Sequence, residues 1–244
     1  MIKLNRGQIS IFVIIGITII AFIFIFLLFK INVLDIGNTV PPEVKPINDF
    51  VENCIKKSAD DAVYYIGDSG GYYIVPKLAT ENKVAYYFYN KQNYMPSKEI
   101  VKNELSEFMN DAIFLCTKNF VDFPDYEVKS SGTNTSVEFM NDSVYFKIKY
   151  PLSIKKADKT YVIKDFETSV KIRLGIIYDS IKKIMDMQMK SSDVCLDCIA
   201  DTAIENNLYI NMMDYHGDVI FGVYDLENDL NGEEYVFYFA NQYD

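Results

Sequence analysis

An uncharged apolar run that begins at Ile11 and ends at Phe29 constrains this chain more than any other feature, and it follows directly on Lys3, Arg6, Gly7, Gln8, Ile9 and Ser10. Nineteen helical residues at about 1.5 Å each reach about 28 Å, close to the hydrocarbon thickness of a bilayer. Gly16, Thr18 and Ala21 alone dilute its Ile, Phe, Leu and Val content. The run predicts one transmembrane helix, with the lipid bilayer as its partner. Lys3 and Arg6 mark the N-terminal flank and Lys30 stands alone on the other. Positive charge is retained in the cytoplasm. The expectation is therefore a single-pass plasma-membrane protein with residues 1–10 inside, a membrane helix over 11–30 and the remainder outside. A cleaved secretory signal would carry a core of about 7–15 apolar residues followed by small ones; Leu27, Leu28, Phe29 and Lys30 follow instead.

With Lys3, Arg6 and Lys30 set aside, 21 Lys and Arg face 34 Asp and Glu, so the part after the apolar run carries about 13 net negative charges. Phosphate backbones and anionic lipid head groups repel such a domain, which argues against nucleic acid as a partner. About 200 residues suffice for one core or two small ones, and 19 Tyr with 17 Phe supply large side chains to fill them.

Arg6-Gly7-Gln8-Ile9-Ser10, followed at once by the apolar run, resembles the class III signal peptide of archaeal type IV pilin-like proteins over about the first 30 residues. The resemblance implies cleavage by a prepilin peptidase between Gly7 and Gln8, which would remove Lys3 and Arg6. Phe12 stands where the family commonly carries an acidic residue, five positions into the mature chain. Gly37, Pro41, Pro42 and Pro46 stop the long continuous helix that pilin-like subunits tend to have. The remainder looks similar to single-pass surface proteins of small-genome archaea, a resemblance that implies no particular activity.

Residues 31–45 hold Gly37, Pro41 and Pro42 without apolar periodicity and are expected to form a stalk, with the domain over 46–244. Ile47, Phe50, Val51, Cys54, Ile55, Ala62, Val63 and Ile66 recur at mostly three- and four-residue steps, which predicts a helix ending at Gly67. Lys83 to Asn90 is a Tyr-rich strand. Ser97 opens a second helix with Leu105, Phe108, Met109, Ala112, Ile113 and Cys116 on one face. Alternation then predicts strands through Val137 and Phe139 and through Val144, Phe146, Ile148 and Tyr150, with Asn141 and Asp142 at the turn. Pro151 marks an edge or bend, and Tyr161 to Phe166 a further strand. Val170, Leu174, Ile177, Ile181 and Ile184 predict a third helix, Cys195 to Asn206 a short fourth. Leu208 to Met213, Val219 to Tyr224 and Tyr235 to Phe239 predict a three-stranded meander turning at His216-Gly217. The expected fold class is α+β: a transmembrane helix, then an extracytoplasmic domain of amphipathic helices packed on antiparallel sheet.

Gly67-Asp68-Ser69-Gly70-Gly71 spells the nucleophile motif of chymotrypsin-like serine proteases. In that family the histidine and aspartate precede the serine, whereas the single histidine here, His216, lies far downstream. The pentapeptide is better read as a helix C-terminus and turn.

Cys54, Cys116, Cys195 and Cys198 form an even set, as disulfides require. Cys54 and Cys116 either pair with each other or each receive one member of Cys195-Leu196-Asp197-Cys198; the expectation favours two bridges tying that segment to the first two helices. A four-thiolate zinc site would need two close-spaced pairs, and there is one. A redox-active Cys-x-x-Cys would follow a strand, whereas Ser191, Ser192 and Asp193 precede this one.

Asn134-Thr135-Ser136 and Asn141-Asp142-Ser143 satisfy the N-glycosylation rule, so Asn134 and Asn141 are candidate acceptors. Asp225, Glu227, Asp229, Glu233 and Glu234 surround Asn231-Gly232 and read as a solvated loop, since their spacing does not match an EF-hand. Tyr64, Tyr65, Tyr72, Tyr73, Tyr86, Tyr87 and Tyr89 crowd the first part of the domain, either as a contact surface or as strand residues alternating between core and solvent.

No catalytic residue, metal ligand or cofactor is expected. The sequence favours a membrane-anchored surface protein with a structural or adhesive role, meeting protein partners or copies of itself. A pilin-like filament subunit cut at Gly7-Gln8 is the second reading, an exported hydrolase or thiol redox enzyme the third.

Overall fold

The structure, a computed structural model, describes residues 40–191 and 193–243 together with Gly16, Ile19 and Ile20. The chain divides into two units, Met1–Pro41 and Pro42–Asp244. Nearly all of the first, including Gly7, Gln8 and most of the run from Ile11 to Phe29, lies outside the described residues. Among the described residues no helix is long and apolar enough to cross a membrane. That finding overturns the transmembrane element of the expected fold class and, with it, the single-pass plasma-membrane localisation.

The second unit is an α+β fold whose helices are α1 (Lys45–Asp68), α2 (Lys98–Thr117), α3 (Leu174–Gln188) and α4 (Leu196–Asn206). Its strands are β1 (Tyr86–Tyr89), β2 (Gln92–Asn93), β3 (Glu127–Ser130), β4 (Asn134–Phe139), β5 (Val144–Lys156), β6 (Lys159–Val170), β7 (Leu208–Tyr215), β8 (Asp218–Leu230) and β9 (Glu233–Gln242). They form a four-stranded sheet built on β5 and a five-stranded sheet in the order β2-β1-β9-β8-β7. The expected all-antiparallel arrangement is corrected here. β1 runs parallel to β9, with Tyr86 opposite Ala240, so the larger sheet is mixed.

α1 buries Ile47, Val51, Cys54, Ile55, Ala59, Ala62, Val63 and Ile66 along one stripe, and each fully buried Ile or Val contributes roughly 1.5–3 kcal/mol. The stripe packs against α2, β6 and β9, so one helix serves both sheets. Val44 is fully buried and the Tyr126 hydroxyl donates to the Glu43 carbonyl; the folded unit thus begins inside the segment expected to be stalk. Ser97 caps α2 by accepting from the Ile100 amide, as a serine before a helical run should.

Pro151 sits within β5 at a junction. On one side β4 pairs with residues up to Lys149 and β3 takes over at Leu152; on the other, the register with β6 shifts between those same residues. A residue without an amide proton is tolerated where ladder pairing is interrupted. The expected meander is present as β7, β8 and β9. Both of its turns place two successive residues at positive φ, His216-Gly217 and Asn231-Gly232, the conformation that matches the twist of a tight hairpin.

Candidate interaction surface

The larger sheet is two-faced, and register defines which residues share a side, since paired residues project to the same face. Ile210, Val223 and Phe237 form one row on the core side and Met212, Phe221 and Phe239 another, with Met212 at the edge still 40% exposed. Phe221 and Phe239 stack at 4.8 Å, with Tyr87 against Phe239 at 5.1 Å. The opposite face carries the rows Tyr209-Tyr224-Val236, Asn211-Gly222-Tyr238, Met213-Ile220-Ala240-Tyr86 and Tyr215-Asp218-Gln242. Five tyrosines thus lie on one side of one sheet.

Val84, Ile220 and Ala240 are buried at the centre of this face, with Tyr86, Tyr215 and Tyr238 packed around them. The half nearer β7 is open: Tyr209 is 54% and Met213 36% exposed. Gly222 lets the rings close over the strand there: a Cβ would lie 3.0 Å from the Tyr238 ring and 3.2 Å from that of Tyr224, and both rings would have to give way. The Tyr209 and Tyr224 rings meet at 5.5 Å. β7 pairs with β8 alone, and among the described residues no further strand lies along its outer edge.

Hydroxyls on this face are held in place. Tyr86 donates to Asp218; burial, then that hydrogen bond and the carboxylate charge, push its phenol above the ordinary 10.0. Burial, then the hydrogen bond with Tyr224 and its charge, push Tyr238 up to about 12. Both are neutral at physiological pH and present ring and hydroxyl together, the combination that makes tyrosine effective in contacts.

The tyrosines singled out from the sequence divide. Tyr87 is core, fully buried, its hydroxyl donating to the Gly70 carbonyl. Tyr86 belongs to the sheet face. Tyr65 and Tyr73 form a second cluster with Phe108, ring centroids 5.2–6.0 Å apart, beside an open groove of about 540 Å³ also lined by Ile74, Pro76, Lys77 and Lys83. Its wall is pinned to α2, since the Tyr73 and Ile74 amides both donate to Glu104. Tyr209, Tyr215, Tyr224 and Tyr238 were missed, although the two-residue spacing Tyr209, Asn211, Met213, Tyr215 was available as a signal.

Ser69 is buried at the C-terminus of α1, and its Oγ donates to the Tyr65 carbonyl at 2.8 Å and approaches that of Tyr72. Gly70 and Gly71 have φ of 72° and 87°, and the Gly71 amide donates to Ile66 O. This is the reversal expected of a glycine-terminated helix. His216 is in the β7–β8 turn against Tyr215, so the structure does not join it to Ser69.

The disulfides are Cys54–Cys116, tying α1 to α2, and Cys195–Cys198, within the first turn of α4. The favoured expectation of bridges from Cys195 and Cys198 to the first two helices is corrected: facing apolar stripes bring Cys54 and Cys116 together, with Cα atoms 5.8 Å apart. Asn134 is exposed at the start of β4, and Asn141 in the β4–β5 turn. The acidic residues read as a loop lie instead on the β8–β9 hairpin. Among the described residues, no group of three or more metal-ligating side chains is gathered.

Compared with known proteins, the chain matches no family model, no curated protein and no solved structure.

Proposed function

We propose that the unit Pro42–Asp244 is a non-catalytic interaction module that binds an extended, basic segment of a partner protein along β7. One observation carries the reading: the edge strand β7 also bears Tyr209, Asn211, Met213 and Tyr215, the open border of the tyrosine face. An added strand would satisfy the edge through main-chain hydrogen bonds while its alternate side chains rest on those rings. Charge selects the partner. The chain carries a net −10, and Asp214 and Asp218 flank the β7–β8 turn, so lysine and arginine are favoured there, helped by their attraction to tyrosine rings.

The test is selection from a random-peptide display library on the immobilised chain. Recovered peptides should alternate apolar with Lys or Arg, and Tyr209→Ala should weaken them by about 30-fold, the loss of roughly 2 kcal/mol that marks a hot spot. Ile204→Asp, on exposed α4, should leave them bound. Peptides indifferent to Tyr209→Ala, or self-association in place of peptide binding, would overturn the reading.

A further inference from the structure

The two disulfides differ in the length of chain they close, in the elements they join and in the enclosure of Cys54, and from that contrast we infer that Cys195–Cys198 is a thiol–disulfide exchange site whose co-reactant is an external dithiol. Cys54 is 4% exposed between two packed helices, with Cys116 half-buried beside it, and their bridge closes a separation of 62 residues. Cys195 and Cys198 are both half-buried, so neither sulfur is enclosed as that of Cys54 is. Their separation of three restricts the unfolded chain less than half as much as the longer bridge does. Opening it leaves no two elements unlinked.

The first turn of α4 supplies what the opened form needs. Cys195 is the N-cap residue, and in the bridged state its side chain accepts no capping hydrogen bond. The first amides of a helix point outward without partners. A freed Cys195 thiolate at the N-cap can accept from the amides of Asp197 and Cys198, an acceptor that the disulfide withholds and a setting that lowers thiol pKa. Cys195 is therefore the better leaving group. A partner thiolate attacks Cys198 Sγ, the Cys195–Cys198 bond breaks, and Cys195 departs as thiolate. The partner's second thiolate then attacks the mixed disulfide and releases Cys198. Two electrons and two protons pass from the dithiol to the cysteines, and the partner leaves as its disulfide. Asp193 and Asp197 flank the site in sequence, which favours neutral or basic dithiols over anionic thiols such as glutathione.

The full chain, without denaturant, is equilibrated with graded ratios of reduced to oxidised dithiothreitol, trapped by alkylation, and mapped by peptide mass spectrometry. Cys195 and Cys198 should be alkylated together at ratios at least tenfold less reducing than those opening Cys54–Cys116, with helix circular dichroism retained. Glutathione at matched potential should react more slowly, and the gap should narrow as salt is added. Coincident opening of both bridges, earlier opening of Cys54–Cys116, or a Cys195–Cys198 bridge that opens only in denaturant would overturn the assignment.

Discussion

Arg173 and Asp225, 52 residues apart, form a doubly hydrogen-bonded ion pair in the interior, Nε and Nη2 of the guanidinium donating to Oδ1 at 2.9 and 2.6 Å. The arginine side chain is 7% exposed and the carboxylate not at all. Nη1 and Nη2 also donate to the Asn206 and Asn207 carbonyls at the end of α4, and Nη1 pairs with the Glu227 carboxylate at 3.0 Å, so one residue ahead of α3 fastens α4 to β8. Such a pair contributes chiefly through what its loss leaves behind. Asp225→Ala should therefore cost roughly 3–5 kcal/mol in urea unfolding, because the buried arginine is left with only the half-exposed Glu227 carboxylate.

The same carboxylate sets an acid limit. Burial pushes Asp225 up, but the hydrogen bonds from Arg173 and the Glu227 amide, with the arginine charge, hold it below the ordinary 3.8. A depressed folded pKa means stability that is present above the unfolded value and lost as pH falls through the folded one. Wild type should lose stability on acidification below about pH 4, and Asp225→Asn should flatten that slope.

Alkali acts in the opposite sense. Burial raises the phenols of Tyr87 and Tyr235 well above 10.0, and Tyr235 donates to the Val63 carbonyl from inside the core. Below pH 10 neither state ionises them and their contribution is intact; above it the unfolded chain releases protons that the folded one keeps, so stability falls as pH rises. Phenolate absorbance should show a class of tyrosines that ionise only with loss of circular dichroism, and Tyr235→Phe should shrink that class.

Removing the bridges should give unequal losses. On the chain-entropy scale the Cys54–Cys116 closure contributes about 4 kcal/mol and Cys195–Cys198 about 2. The double alanine variant at positions 54 and 116 should accordingly melt well below that at 195 and 198, by calorimetry under non-reducing conditions.

Gly67→Ala tests the contact of α1 with the larger sheet. A Cβ there would sit 2.6 Å from the Val236 carbonyl oxygen, and backbone must shift to admit it. The substitution should cost about 1–3 kcal/mol despite alanine's better helix propensity, because overpacking outweighs it. Equal or greater stability would mean that helix and strand are further apart.

What the sequence disclosed follows the range of the forces involved. The stripe of α1, the Ser97 cap and the His216-Gly217 turn depend on neighbours a few residues away, and each is where local pattern places it. Pro151 announced an interruption but not the exchange of β4 for β3. The parallel pairing of Tyr86 with Ala240, the Cys54–Cys116 bridge and the Arg173–Asp225 pair join residues 52 or more positions apart, and nothing local records them. The tyrosine face falls between: its two-residue spacing is written along β7, yet a row across strands exists only once register is known.

β9 lies between β1 and β8, so the strand that comes after all its sheet neighbours in the chain occupies the middle of the larger sheet. During synthesis β7 and β8 can form a hairpin and β1 can pair with β2, but the two halves stay separate until Glu233–Gln242 arrives. The outer rows of tyrosines would be assembled before the seam that joins them to Tyr86. The sheet is completed by insertion rather than by growth at an edge, and the arrival of Glu233–Gln242 between its two halves is the event that closes it.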